Sequence, residues 1–490
     1  MKWPKWKLWL GCFVVLLCAL PARAHVGSPD VYAEGTAGPY KLFVVVRPPL
    51  VIPGVAEIEV RTSTSDVDRI TIAPMLLTGD ASKHPPVPDT MTKSSKDAQF
   101  FTGHLWIMAA GSWQVRFVVN GSQGQGVFSV PVPATAMGTR TMQRGLGILL
   151  AVLGVILILG MVGVIGAAAR EAQLRPGEAV PAIRKKRAYV AMAVTFVLLV
   201  MAAVLGGKWW RAEAADYSAY IYKPLTMSVS LQSGNVLNLK LTDPGWVRAR
   251  RLNDFVLDHN HLMHLYAIRW PAMDVVFHLH PDQTGTGNFQ LTLPTMPAGT
   301  YHLYADVVHA NGFPETVVST ITVPDMHGRA LAGDDSSGTA TALGTETSTA
   351  YKLPDGYAMT WKRPAALKAN TPEDFTFELL DPQGQPPKDM ALYMGMAGHA
   401  AFVRADGTVF AHIHPSGTVS MAALMMAQSQ NPGSQQMTAD MPGMDMSGGD
   451  AVSNTVSFPY GFPKPGDYRI FVQMKHGDVI ETGTFDATVE

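Results

Sequence analysis

Along most of the chain, apolar and polar positions alternate in short runs broken by Pro and Gly, as in Tyr40–Val46 and Val55–Arg61. Period-two alternation bounded by turn residues predicts strands, and no long helical period interrupts it. Three segments depart from this pattern. Residues 1–24 open with Lys2, Lys5 and Lys7, run apolar from Leu8 to Leu20 and end in Ala22-Arg23-Ala24. That is the layout of a secretory signal peptide with an A-x-A cleavage site. Residues 145–169 and 188–207 carry no charge, and each reaches the roughly 20 residues a helix needs to cross a bilayer.

The loop between these two spans, 170–187, holds Arg170, Arg175, Arg184, Lys185, Lys186 and Arg187 against Glu171 and Glu178. The positive-inside rule assigns such a loop to the cytoplasm. Both flanking regions then lie outside, as the signal peptide also demands. The expected location is a bacterial inner membrane, crossed twice, with both large regions in the periplasm. Trp209 and Trp210 stand where an interfacial aromatic belt would be.

The exported residues divide into 25–134, 211–325 and 350–490, joined between the last two by a Gly/Ser/Thr/Ala-rich stretch, 326–349, that reads as a flexible linker. Each part is a series of short strands of about the size of an immunoglobulin domain. The expected fold is mostly β: three immunoglobulin-like (cupredoxin-like) β-sandwich modules plus a two-helix transmembrane hairpin. The stretch AAGSWQVRFVVNG in the first module resembles AGTYHLYADVVHANG in the second, which makes the first a degenerate third copy.

The second and third modules repeat a set of histidines. HLMHLYAIRWPAMDVVFHLHP, continuing into MPAGTYHLYADVVH, aligns with MGMAGHAAFVRADGTVFAHIHP, continuing into FPKPGDYRIFVQMKH. His264 matches His399, His278 and His280 match His412 and His414, Tyr301 matches Tyr468, and His309 matches His476. Imidazole is the commonest side-chain metal ligand, and residues i and i+2 of a strand share one face. Each module is therefore expected to gather four of its histidines, or three with an open position, on one ion at a sheet margin set by Pro281 or Pro415. The competing reading is a set of strand-end histidines bonded to backbone or water. His259 and His261 form a further HxH beside His264, where the third module has Met394 and Met396.

Both cysteines, Cys12 and Cys18, lie in the signal segment, so the mature chain offers no thiolate. Copper takes imidazole as Cu(II) and thioether as Cu(I), whereas zinc has little use for methionine. The mixture favours copper over zinc. An insertion in the third module, Met421 to about Gly449, adds Met421, Met425, Met426, Met437, Met441, Met444 and Met446. Read as a flexible loop, it suits Cu(I); read blandly, its methionines are filler. Cleavage after Ala24 would leave His25 first, able to chelate copper through its amino group and ring, with His104 as the nearest partner in its module.

The order signal, β-domain, two membrane helices, β-domain, with His25 first, resembles the B subunit of copper membrane monooxygenases. That resemblance implies a copper brace completed by a Trp-His-x-His stretch, but the matching place here reads Trp113-Gln114-Val115-Arg116. The start AHVGSPD resembles the copper-resistance protein C family of periplasmic copper carriers, and the two histidine modules resemble the YtkA-like secreted β-domains. With no Ser-His-Asp set, phosphate loop, CxxCH or paired-carboxylate motif, the leading expectation is a membrane-anchored periplasmic copper-binding protein for buffering, delivery or resistance. Expected partners are the inner membrane and a copper transporter, an oxidase or another membrane complex. Formal net charge of −1 gives no reason to expect nucleic acid. The alternatives are an oxygenase subunit using the His25 brace and a metal-free structural or assembly module.

Overall fold

The computed structural model describes residues 30–139, 142–232, 235–247, 249–344, 348–431 and 452–490. The signal segment, His25, Met437, Met441, Met444 and Met446 lie outside the described residues. The chain forms two compact units: Met1–Ala134 with Pro224–Pro244 and Ala249–Glu490, and Thr135–Lys223 with Gly245–Arg248.

The second unit is a helical hairpin. Its helices, Arg144–Glu171 and Ala182–Ser218, are long and apolar enough to cross a membrane, and their apolar side chains are almost entirely uncovered. The second helix runs well past the expected end at residue 207, because Lys208–Ser218 is rich in Ala and lacks Gly and Pro. Its 37 residues extend about 55 Å at ~1.5 Å per residue, more than the ~30 Å hydrocarbon core requires.

The first unit is mostly β and holds three two-sheet modules. In the first, a sheet ordered Val31–Ala37, Tyr40–Arg47, Gly54–Thr62, Phe100–Ile107, Thr92–Lys93 covers one ordered Asp89–Thr90, Val67–Leu76, Gly111–Gly121, Gly124–Ala134. In the second, Pro314–Val323, Gly299–Val308, His264–Trp270, Val275–Leu279 and Ser336–Thr339 form a five-stranded sheet in that order. The third repeats this with Val479–Val489, Gly466–His476, His399–Arg404 and Phe410–Ile413. All pairings are antiparallel. An aromatic marks the same corner in every module: Trp113, Tyr301 and Tyr468 each donate to the carbonyl four residues upstream. That is the tyrosine-corner device of immunoglobulin-like sandwiches. A glycine with positive φ opens the corner strand each time (Gly111, Gly299, Gly466), a backbone region that costs glycine little.

Two expected elements differ. Ser336–Thr339, inside the stretch read as linker, is a strand on Val275–Leu279. Its small residues permit the fit: a Cβ on Gly338 would stand 2.6 Å from Thr482 Cγ2 of the third module. The start of the Met-rich insertion is a helix, Met421–Ser429, whose Ser420 side chain accepts from the Ala423 N–H, a cap of the kind worth ~1 kcal/mol. This helix buries Met421 and packs Ala423, Ala427 and Met426 around Leu77 of the first module. Gln428 and Asn431 bond Ser129. Those methionines serve packing, not a loop.

The placement of the histidines follows from strand periodicity. Leu265, Ala267, Phe277 and Leu279 point into the core of the second module, and Ala400, Phe402, Ala411 and Ile413 into that of the third. The alternate positions, Tyr266, Ile268, Val276, Ala401, Val403 and Phe410, form one apolar cluster in which the two sheets meet face to face. Tyr304 stacks on Phe410 at 4.3 Å, and Arg469 reaches across to the carbonyls of Met273 and Thr341.

Candidate metal centre

His264 and Tyr266, Val276 and His278, His399 and Ala401, and Phe410 and His412 are i, i+2 pairs on that shared face. All four histidines therefore project into the same seam, at the end beyond the apolar cluster. The Asp258–His261 turn adds two more rings from the second module. It is held in a left-handed conformation at His259 and Asn260 (φ 50° and 68°). His280 and His414 complete the set. Neighbouring rings lie 3.8 Å (His261–His280) to 6.4 Å (His278–His399) apart between centroids. The expectation of one site per module is thus replaced by one eight-histidine centre between modules.

Two groups within it have ligand atoms close enough for one ion each: His264 with His278 and His280, and His259 with His399 and His414. The first comes from the second module alone. The second combines a ring of the second module with two of the third. His412 stands between the groups, 5.4 Å from His264 and 4.6 Å from His414.

The hydrogen bonds leave one nitrogen of nearly every ring bare. Nδ1 of His259 faces the Met394 carbonyl at 2.7 Å, Nε2 of His264 the Asp258 carbonyl at 3.0 Å, and Nδ1 of His414 the Val419 carbonyl at 3.2 Å. Nδ1 of His280 faces Asp335 at 3.1 Å, Nδ1 of His412 faces Asp306 at 3.2 Å, and Nδ1 of His278 faces Gln473 Oε1 at 3.0 Å. Each oxygen accepts a proton from the ring, which fixes the tautomer and turns the other nitrogen into a lone pair, as supporting groups do for metal-ligating histidines. The Nε2 atoms of His259, His280, His412 and His414, and both nitrogens of His399, are buried with no partner. An unmet buried polar atom costs ~1–3 kcal/mol, so six in one place call for a ligand.

His264 Nδ1 and His278 Nε2 sharpen the point. Their other nitrogens face acceptors, so two lone pairs confront each other at 3.2 Å. Two imidazoles on one tetrahedral ion, with bonds of ~2.0–2.1 Å, place their nitrogens about 3.3 Å apart. A cation turns this repulsion into attraction. Burial, and then the neighbouring rings, hold His264, His399 and His414 well below the usual imidazole pKa; burial and the charge of His280 and His412 do so for His278. These four rings are neutral at neutral pH, so an ion arriving at them displaces no proton.

Other expected ligands stand elsewhere. His309 places one nitrogen 2.9 Å from Asp254 and the other 3.0 Å from Glu315. Burial opposes its charge, but those two hydrogen bonds prevail and raise its pKa; it is an ion-pair residue. His476 lies among Asp355, Asp389 and Glu481. His104 is exposed on its strand. His261 keeps its place at the centre, bonding Asp334 at 3.0 Å. Met394 supplies its carbonyl, and Met396 is buried in the matching turn of the third module, Tyr393–Met396. His259 is the ligand candidate that spacing undervalued, because its partners come from the other module.

Residues 350–490 match the model of a domain of unknown function, DUF8832. No curated protein matches significantly. Among solved structures, a bacterial ice-binding adhesin aligns over 89% of this chain and 91% of its own at 6% identity and a TM-score of 0.14. Trypsin-activated α2-macroglobulin from Escherichia coli aligns over 95% of this chain and 24% of its own, at 8% identity and 0.18. A putative membrane-anchored protein from Corynebacterium diphtheriae aligns over 94% of both chains, at 10% and 0.16. Scores this low carry no argument about function.

Proposed function

We propose that the chain is a membrane-anchored copper-binding protein of the bacterial inner membrane, with its β-modules in the periplasm, and that it buffers or delivers copper from the eight-histidine centre. The observation that carries the metal reading is the set of six buried, unpartnered ring nitrogens. Copper is the assignment because an all-imidazole donor set binds Cu(II) most tightly among divalent first-row metals, with zinc the runner-up. Depth of burial favours retention over rapid exchange, which suits a buffer. The hairpin supplies the anchor.

A copper-dependent oxygenase subunit is the second reading, supported by two three-histidine groups sharing one seam. The deciding experiment is metal analysis of the full chain purified in detergent from copper-supplemented cells, alongside oxygen uptake. Copper without oxygen consumption supports the buffer. Copper with turnover supports the oxygenase. No copper, under conditions where the protein is folded, overturns both.

A further inference from the structure

His309 directly follows the strand Gly299–Val308 and His476 ends the equivalent strand Gly466–His476, and each faces a matched pair of carboxylates. Glu315 pairs across the hairpin with Val307, and Glu481 with Met474, in each case two residues before the histidine. Nε2 of His309 faces Glu315 at 3.0 Å, and Nε2 of His476 faces Glu481 at 3.3 Å. Nδ1 faces Asp254 at 2.9 Å in one module and Asp389 at 3.5 Å in the other. Asp254 and Asp389 each precede the matched histidine of the module, His264 or His399, by ten residues.

The divergence is at Arg250. Its backbone N–H bonds Asp243, and its guanidinium pairs with Glu315 and Asp243. In the third module the matching aspartate, Asp381, accepts from the N–H groups of Gln383 and Gln385, the second the closer at 2.8 Å. No guanidinium is delivered. Instead Asp355 enters on the same side, 3.6 Å from His476 Nε2 and hydrogen-bonded to Glu481. Among the described residues no Lys or Arg pairs with Asp355, Asp389 or Glu481. One module balances its carboxylates with a fixed cation; the other adds a carboxylate and removes the cation.

We propose that a divalent cation occupies, in the third module, the role Arg250 plays in the second. Nε2 of His476 and the carboxylates of Glu481 and Asp355 have ligand atoms within 4.8 Å of one another. Asp389 lies 3.5 Å from Nδ1 on the other side of the ring, placed as carboxylates that orient metal-ligating histidines are. His476 and Glu481 are buried, while Asp355 and Asp389 are solvent-exposed at 38% and 55%, so an ion reaches the site from outside. One imidazole with oxygen donors suits Mn²⁺ or Zn²⁺, in contrast to the all-imidazole seam. This inference does not depend on the copper reading.

Mn²⁺ is the discriminating probe, because nitrogen-rich sites hold it weakly. In the full chain in detergent, titration followed by the electron paramagnetic resonance signal of free Mn²⁺ should reveal one site per chain. Glu481→Gln should weaken it at least ~10-fold, and Gln385→Arg, which restores the missing guanidinium, should abolish it in a folded protein. His278→Ala should leave it intact. Wild-type protein that binds no Mn²⁺, or a Gln385→Arg variant that binds it fully, overturns the proposal.

Discussion

Replacing His399 by Leu should stabilise the metal-free protein while removing one metal. His399 is wholly buried and both its nitrogens lack partners. Each such atom costs ~1–3 kcal/mol, and a volume-conserving apolar exchange costs under about 1.5 kcal/mol. The balance is a net gain of about 1–4 kcal/mol for the metal-free state. At ~2.1 cal/mol/K of unfolding entropy per residue, a β-unit of roughly 400 residues shifts by about 1 °C per kcal/mol, so its metal-free unfolding midpoint should rise by about 1–4 °C. With copper at a thousandfold excess over Kd the order should reverse, because ligand-bound native protein gains ~4.1 kcal/mol and the variant forgoes that gain at one group. Thermal unfolding by near-ultraviolet circular dichroism, with and without copper, measures both. A variant less stable without metal and unchanged with it would show that His399 is a packing residue and that the reasoning from unpartnered nitrogens fails.

Asp335→Asn, which changes the acceptor facing His280, should weaken copper binding ~10–100-fold, read by competition with a chelator. The pH dependence follows from the depressed pKa values of His264, His278, His399 and His414. The unfolded chain takes up protons below ~6.5 while these buried rings do not, so metal-free stability should be full above that pH and fall as pH drops below it; denaturant midpoints at pH 7.5 and 5.5 test the sign. Arg469, buried and bonded to Met273, Thr341 and Asp486, ties the two modules together, and Arg469→Ala should cost ~3–5 kcal/mol and lower copper content with no ligand altered.

Much of this was legible in the sequence. Alternation along the strands gives the sandwiches, the charge-free runs give the two helices, and six of the eight duplicated histidines are ones the fold brings into the seam. The site's location was not legible from the repeat alone, since a repeat invites one ion per copy. The missing signal was the second apolar face. Tyr266, Ile268 and Val276, with Ala401, Val403 and Phe410, alternate with core residues yet are themselves apolar, the pattern of strands covered on both sides. Read that way, an HxH on the outer face belongs to an interface, not a rim. His309 and His476 stand apart from the seam because equal spacing from Tyr301 and Tyr468 says nothing of the carboxylates that Asp254, Glu315, Asp355 and Glu481 bring to them.

The central claim is that copper sits among imidazoles in the seam between the second and third modules. X-ray absorption at the copper edge of the loaded full chain reads that environment directly. The account predicts a shell of nitrogen scatterers at ~2.0–2.1 Å with imidazole outer-shell features, lost when His264, His278 and His399 are replaced together by Leu. A sulfur shell near ~2.3 Å, or an unchanged spectrum in the triple variant, would contradict it.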